Sequence, residues 1–138
     1  MKTENIGEVD ALCAELDALC DTGYAFALHI RFTRPTTMIR TYSEDWLAEY
    51  SEKGLMIQDP VVIWGMQNSG VVYWKDLPDP AGVFSGAARH GIENGLTCSV
   101  GPASSRSISG FSRSSGPFSP EEAAHLLHLT EKMHEVTA

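Results

Sequence analysis

The chain has 138 residues, 43% of them hydrophobic and 20% charged, a balance that excludes intrinsic disorder and, at about 100–200 residues per domain, fits a single domain. Ten Lys and Arg against eighteen Asp and Glu leave a net charge of −8, which argues against a domain that grips nucleic acid alone, because such domains present a basic face. No apolar run approaches the ~20 residues of a membrane-spanning helix.

Met1-Lys2-Thr3-Glu4-Asn5 leads into an acidic segment and does not read as a signal peptide, so a cytoplasmic protein is expected. Cys13, Cys20 and Cys98 form no Cys-x-x-Cys pair. They fit a reducing compartment and argue against a disulfide framework or a zinc site.

The elements follow from hydrophobic period. Ile6, Val9, Leu12, Cys13, Leu16, Leu19 and Cys20 recur at steps of three and four, predicting a helix that stops near Asp21-Thr22-Gly23. Tyr24, Phe26, Leu28, Ile30 and Phe32 then alternate with smaller or polar residues, predicting a strand with one bulky face and one face small enough for close packing. Thr33-Arg34-Pro35 reads as a turn, and Thr36–Thr41 as the return strand of a hairpin. Ser43 caps a short helix with Glu44 and Asp45 in its first turn, ended by Gly54. Asp59-Pro60 opens another, Asp as N-cap and Pro as first residue. Val71–Trp74 reads as a strand and Val83–Asn94 as a helix ended by Gly95. Leu96–Val100 and Ile108–Arg113 read as strands around a Gly-Pro turn. Ser119-Pro120-Glu121-Glu122 starts the last helix. Strands joined mainly as hairpins, with helices between them, predict an α+β fold: an α/β/α sandwich around an antiparallel sheet.

Enzyme signatures are missing. Glu122-x-x-His125 and Glu131-x-x-His134 match a di-iron pattern, but nine residues apart on one helix they face opposite sides. His29 and His90 are isolated. There is no Gly-x-Ser-x-Gly elbow, dinucleotide fingerprint or P-loop. We therefore expect neither catalysis, nor a metal, nor a cofactor.

The informative stretch runs from Tyr42 to Trp74. Tyr42, Trp46 and Tyr50 fall four apart at a helix start, followed by Asp59 and then Trp74. Aromatic bodies with polar handles beside one carboxylate suit a small-molecule pocket. The same residue types also suit a plain core in which Asp59 is only an N-cap.

The spacing set Tyr42-x-x-x-Trp46-x-x-x-Tyr50, Asp59-Pro60 and Trp74, with Gly95-Leu96-Thr97 and the strand ending in Ser112, resembles the N-terminal autoinducer-binding domain of LuxR-type quorum-sensing regulators over nearly the whole chain. The resemblance implies a five-stranded antiparallel sheet binding an N-acyl-homoserine lactone between sheet and helices. By position, it implies that Trp46 donates to the lactone carbonyl and Asp59 accepts the amide N–H. Tyr42 would donate to the amide carbonyl, with Ser112 a second donor. Tyr50 and Trp74 would wall the ring, and Thr97 would lie near the head group. Ala25, Ala27, Leu28, Met38, Leu47, Val61 and Val62 are candidates for the acyl chain. Leu47, where some members carry a polar residue for a 3-oxo group, leans toward ligands without one.

The resemblance further implies a homodimer, with DNA contacted only through a C-terminal helix-turn-helix domain. Residues 1–138 are read as the sensor domain alone, with that second domain absent from this chain. The alternative is a single-domain or solo receptor or antagonist of the same fold, sensing another small molecule or acting by heterodimerisation.

Overall fold

The computed structural model describes residues 5–138, so the part of the signal-peptide reading that rests on residues 1–4 lies outside the described residues. In chain order the elements are α1 (Ile6–Leu19), β1 (Tyr24–Arg31), β2 (Arg34–Arg40), α2 (Glu44–Glu52), α3 (Pro60–Gln67), β3 (Gly70–Tyr73), α4 (Val83–Ala88), β4 (Leu96–Val100), β5 (Arg106–Phe111) and α5 (Pro120–Val136), with short 3-10 turns at Leu55–Gln58, Trp74–Asp76 and Ala103–Ser105. The five strands form one antiparallel sheet in the order β2-β1-β5-β4-β3. Helices cover both faces, as the sequence predicts for an α/β/α sandwich.

One face carries the larger core. Tyr24, Phe26 and Leu28 of β1, with Leu96, Cys98 and Phe111 from the neighbouring strands, pack under Leu16 of α1 and Leu126, Leu129 and Met133 of α5. Leu28, a candidate for the acyl chain, therefore belongs to this core and points away from the opposite face. The other face of β1 presents Ala25 and Ala27, the close-packing surface expected from the sequence. Over it lie α2, α3 and α4, with a much smaller core of Trp46, Val83, Ala87 and Ile92.

Strict alternation along β1 fails at His29. Its φ of 50° lies in the left-handed region, and the register with β5 shifts between Ala27 and Ile30. Such a bulge adds a residue and swaps faces. His29 turns toward α5, and Ile30 joins the face of Ala27.

The predicted helix from Val83 to Asn94 is the main error of the sequence reading, because α4 ends at Ala88. Gly91 has φ 77°; Ile92 N–H donates to Ala87 O at 3.1 Å and Gly91 N–H to Ala88 O at 3.0 Å. That pattern is a Schellman C-terminus, which takes a left-handed residue, most often Gly. The terminator is Gly91, four residues before the one expected. The hairpin turn also falls at Phe32-Thr33 instead of Thr33-Arg34-Pro35, and Trp74 begins a 3-10 turn instead of ending β3. β5 stops at Phe111, before Ser112 and Arg113, where the chain turns to follow Asn94 and Glu93.

Candidate ligand-binding site

A cavity of about 400 Å³ lies between the sheet and the layer of α2, α3 and α4. That is within the range of about 300–1,000 Å³ for small-molecule pockets. Its floor is laid down by strand register. Ala25 of β1 pairs with Arg40 on one side and Gly110 on the other, and one rung along Ala27 pairs with Met38 and Ile108. Ala and Gly on the floor leave the space.

The roof begins with α2. Ser43 accepts a hydrogen bond from Trp46 N–H at 3.3 Å, fixing the first turn. Tyr42 stands just outside the helix, so the predicted stack of three aromatics on one helix becomes two helical residues and a preceding one. Trp46 is 5% exposed, with its ring edge-on to Tyr50 at 5.9 Å and tilted against His90 at 5.5 Å. Gly86 lets α4 close on this ring: a Cβ there would stand 2.9 Å from it. No protein acceptor for the Trp46 indole N–H or the Tyr42 hydroxyl is found among the described residues.

Asp59 has two structural partners and one face on the cavity. Its Oδ1 caps α3 by accepting from Val61 N–H at 2.9 Å, and its Oδ2 accepts from the Tyr50 hydroxyl at 2.8 Å. Both oxygens keep spare lone pairs. Burial raises the carboxyl above its ordinary pKa, while the Tyr50 hydroxyl and the Val61 amide oppose the rise. Burial also raises the Tyr42 and Tyr50 phenols, and the charge of Asp59 adds to both.

Trp74 closes the end near β4. Its indole donates to Thr97 Oγ1 at 2.9 Å, and its ring stacks on Phe84 at 5.1 Å and 9°. Gly95 is the necessary neighbour, because a Cβ there would lie 1.8 Å from the Trp74 ring.

The structure thus gathers Tyr42, Trp46, Tyr50, Asp59 and Trp74 on one cavity. Thr97 is fully buried behind Trp74 as its hydrogen-bond acceptor. Ser112 is not part of the wall: its hydroxyl donates to Gly23 O at 3.1 Å and shares a hydrogen bond with Thr22 Oγ1 at 2.7 Å. Of the acyl-chain candidates, Ala25, Ala27, Met38, Leu47, Val61 and Val62 line the cavity.

Sequence reasoning missed Phe84, Ile108, Gly110 and Arg40 from the wall. Gly110 carried a usable signal, since Gly inside a strand marks close approach. A Cβ on it would come within 3.1 Å of the Tyr42 hydroxyl.

Three members of the two Glu-x-x-His motifs take structural partners. Glu122 pairs with Arg113, His125 with Glu15 at 2.5 Å, and His134 stacks on His29. Among the described residues no group of His, Cys, Asp and Glu could hold a metal, and no helix is long and apolar enough to cross a membrane.

An antiparallel α/β/α sandwich with an apolar cavity and a few convergent polar groups defines a small-molecule-binding domain. The family model for the autoinducer binding domain matches residues 10–136. The chain belongs to that family, the ligand-binding regulatory domain of LuxR-type quorum-sensing regulators.

Solved structures share the fold. The N-acylhomoserine lactone-dependent LuxR family factor CepR2 from Burkholderia cenocepacia is similar at TM-score 0.70 and 19% identity, over 91% of this chain and 77% of that one. SdiA in complex with octanoyl-rac-glycerol gives TM-score 0.72 and 24% identity over 99% of this chain. Escherichia coli SdiA crystallised in the space group P6522 gives 0.65 and 24%, also over 99%. The chain spans 59% and 60% of the lengths of those two SdiA chains. No curated protein matches it.

Proposed function

We propose that this domain senses an N-acyl-homoserine lactone. The observation that carries the reading is a donor and acceptor set facing one apolar cavity: the Trp46 indole N–H and Tyr42 hydroxyl, both without an acceptor among the described residues, and the Asp59 carboxylate with lone pairs to spare. The ligand offers the complement, two carbonyl acceptors and one amide donor at its head. Trp46 would donate to the lactone carbonyl, Tyr42 to the amide carbonyl, and Asp59 would accept the amide N–H, its carboxylate oriented by Tyr50. Trp74, held by Thr97, would wall the ring.

Ser112, bound to Gly23 and Thr22, would brace the β5 end near Tyr42 instead of donating to ligand. Its position follows from the same backbone, since a Cβ on Gly23 would meet the Tyr42 ring at 2.8 Å. The reaction is binding, with no catalytic step and no cofactor. In the regulator it would act as a homodimer in the cytoplasm, with ligand-dependent folding and dimer geometry controlling a separate DNA-binding domain.

Thermal unfolding of the chain with a panel of acyl-homoserine lactones tests this. The expected result is stabilisation that Trp46→Phe and Asp59→Ala both abolish, with no lactone consumed. No stabilisation by any lactone would remove the assignment. A second reading, a receptor of the same fold for another acylated polar head group, is favoured by the octanoyl-rac-glycerol held by SdiA. Stabilisation by acylglycerols in place of lactones would select it.

A further inference from the structure

Of the seven large apolar side chains exposed among the described residues, six stand together: Phe32, Met38, Met56, Ile57, Ile63 and Met66, with Phe32 at 95% and Ile57 at 84%. Five of them line the same cavity, so they are neighbours although three elements supply them. Ile63 lies one turn from Met66 on α3. A contiguous exposed apolar patch of this kind marks an interaction surface.

Charge indicates what covers it. The β1–β2 hairpin and its flanks, from Thr22 to Ser43, hold no Asp or Glu but carry Arg31, Arg34 and Arg40. From Gly54 to Trp74 the only charged residue is Asp59, and it is buried. The patch is therefore a positive surface on a chain of net charge −8. Arg31 and Arg34 are direct cross-strand partners beside the hairpin tip, a like-charge pairing that costs stability. All three arginines are exposed and have no carboxylate partner among the described residues. An anion from outside the chain would relieve that repulsion.

Phe32 adds an independent observation. Its φ is 61°, a left-handed conformation that Gly, Asn and Asp tolerate and a bulky aromatic does not favour. The hairpin thus keeps, between two arginines and at a sterically costly position, a large apolar side chain that the fold does not bury. Strain of this kind points to a role for the side chain in binding.

We infer that this face docks on an anionic lipid bilayer, with Phe32 and Ile57 entering the interface and the three arginines meeting phosphate head groups. An apolar patch and a basic cluster together are the two signals that peripheral anchoring needs. Nucleic acid would answer the arginines alone. A second copy presenting the same face would set arginine against arginine. A bilayer answers both the charge and the apolar side chains, and docking on it needs no lactone, so it stands apart from the sensor reading.

Co-sedimentation of the full chain with vesicles of phosphatidylcholine alone, and of phosphatidylcholine and phosphatidylglycerol in equal parts, tests this. Binding should be at least about tenfold tighter to the anionic vesicles and should weaken with added salt. Phe32→Asn, which keeps a residue suited to the left-handed turn, should weaken it about tenfold. Arg31→Gln and Arg34→Gln should each weaken it about fivefold. Lys132→Gln, on α5 across the sheet, should leave it unchanged. All four replace exposed side chains, and unchanged thermal unfolding of the variants confirms that they fold.

No binding to the anionic vesicles, or equal binding to both kinds, would overturn the docking. So would a loss from Lys132→Gln as large as that from the arginine variants, which would mean diffuse attraction of any cation. Binding that the arginine variants weaken but Phe32→Asn does not would leave a polyanion site, to be matched by equal affinity for duplex DNA. Phe32→Asn converting a dimer to a monomer without changing vesicle binding would assign the patch to a second copy instead.

Discussion

Asp59 is placed to divide one side chain between structure and the proposed binding role. As an N-cap it is replaceable, because Asn caps as well as Asp. As a buried carboxylate it is costly, since burial disfavours its charge. Its folded pKa lies above the unfolded value, so its stabilising contribution is full below the ordinary carboxylate range and is lost as pH rises through the raised value. Ligand-free protein should therefore lose stability on account of this group as pH climbs from about 4, the unfolded value, through the raised one. Asp59→Asn should abolish that component and be at least as stable as wild type at pH 7. The same variant should lose the lactone response, because a charged acceptor becomes a neutral one. Denaturant titrations at several pH values measure the first effect and ligand titrations the second. Gly95 makes the opposite argument, from space alone. Gly95→Ala should cost about 1–3 kcal/mol through overpacking against Trp74. A second change, Trp74→Leu, should recover part of the loss, an interaction that a double-mutant cycle reads directly.

At the scale of elements, α5 is tied to the sheet at both ends. Its N-terminus carries a capping box between Ser119 and Glu122, and Glu122 also grips Arg113. Near its C-terminus, His134 stacks on His29 at 4.2 Å. His29 Nε2 donates to His134 O at 2.8 Å, and Ser107 Oγ and His134 Nδ1 share a hydrogen bond at 2.6 Å. Burial and the neighbouring His29 lower the His134 pKa below its ordinary value. A lowered basic pKa gives stability that is full above about 6.5, the unfolded value, and lost as pH falls from there through the folded one. The C-terminal turns of α5 should thus loosen under mild acid, seen as faster amide exchange there than in the rest of α5. His134→Gln should flatten this dependence, because an amide does not titrate and can hydrogen-bond Ser107 at any pH.

The same elements show what was legible in the sequence. Every helix and strand was foreseen because period and caps are local: Ser43, Asp59 and Ser119 cap where expected, and the alternation of β1 gave both faces of the sheet. The errors are tertiary. Gly91 and Gly95 are equivalent as terminators in sequence. Only the packing of Gly95 against Trp74 shows that it serves the ring and leaves the helix end to Gly91. The bulge at His29 was hidden because nothing local announces a register shift that β5 and α5 impose. Tyr42, Trp46, Tyr50, Asp59 and Trp74 were found together by a spacing pattern, whereas Ser112 lay one residue beyond the strand end that would have aimed it at the cavity.

Across the whole molecule, the two faces of the sheet are unequal. Among the described residues, fifteen buried ones join the core under α1 and α5, but four join the one under α2, α3 and α4. The second layer spans a cavity where the first has packed side chains, so it has less apolar burial to hold it and should open at lower cost than global unfolding. A ligand that fills the cavity supplies the missing contacts. Because it binds only when this layer is closed, it stabilises the fold by mass action, about 2.7 kcal/mol at a hundredfold excess over Kd. For a domain of this size that corresponds to a rise in Tm of about 10 °C. The rise should be accompanied by a local signature. In the ligand-free chain, amides of α2, α3 and α4 should exchange faster than those of β1, β4, β5 and α5, and the lactone should slow the first group selectively up to the global limit. Uniform slowing of all elements would mean that the sandwich opens as one unit, and ligand sensing would then be coupled to folding of the entire domain instead of to closure of one layer.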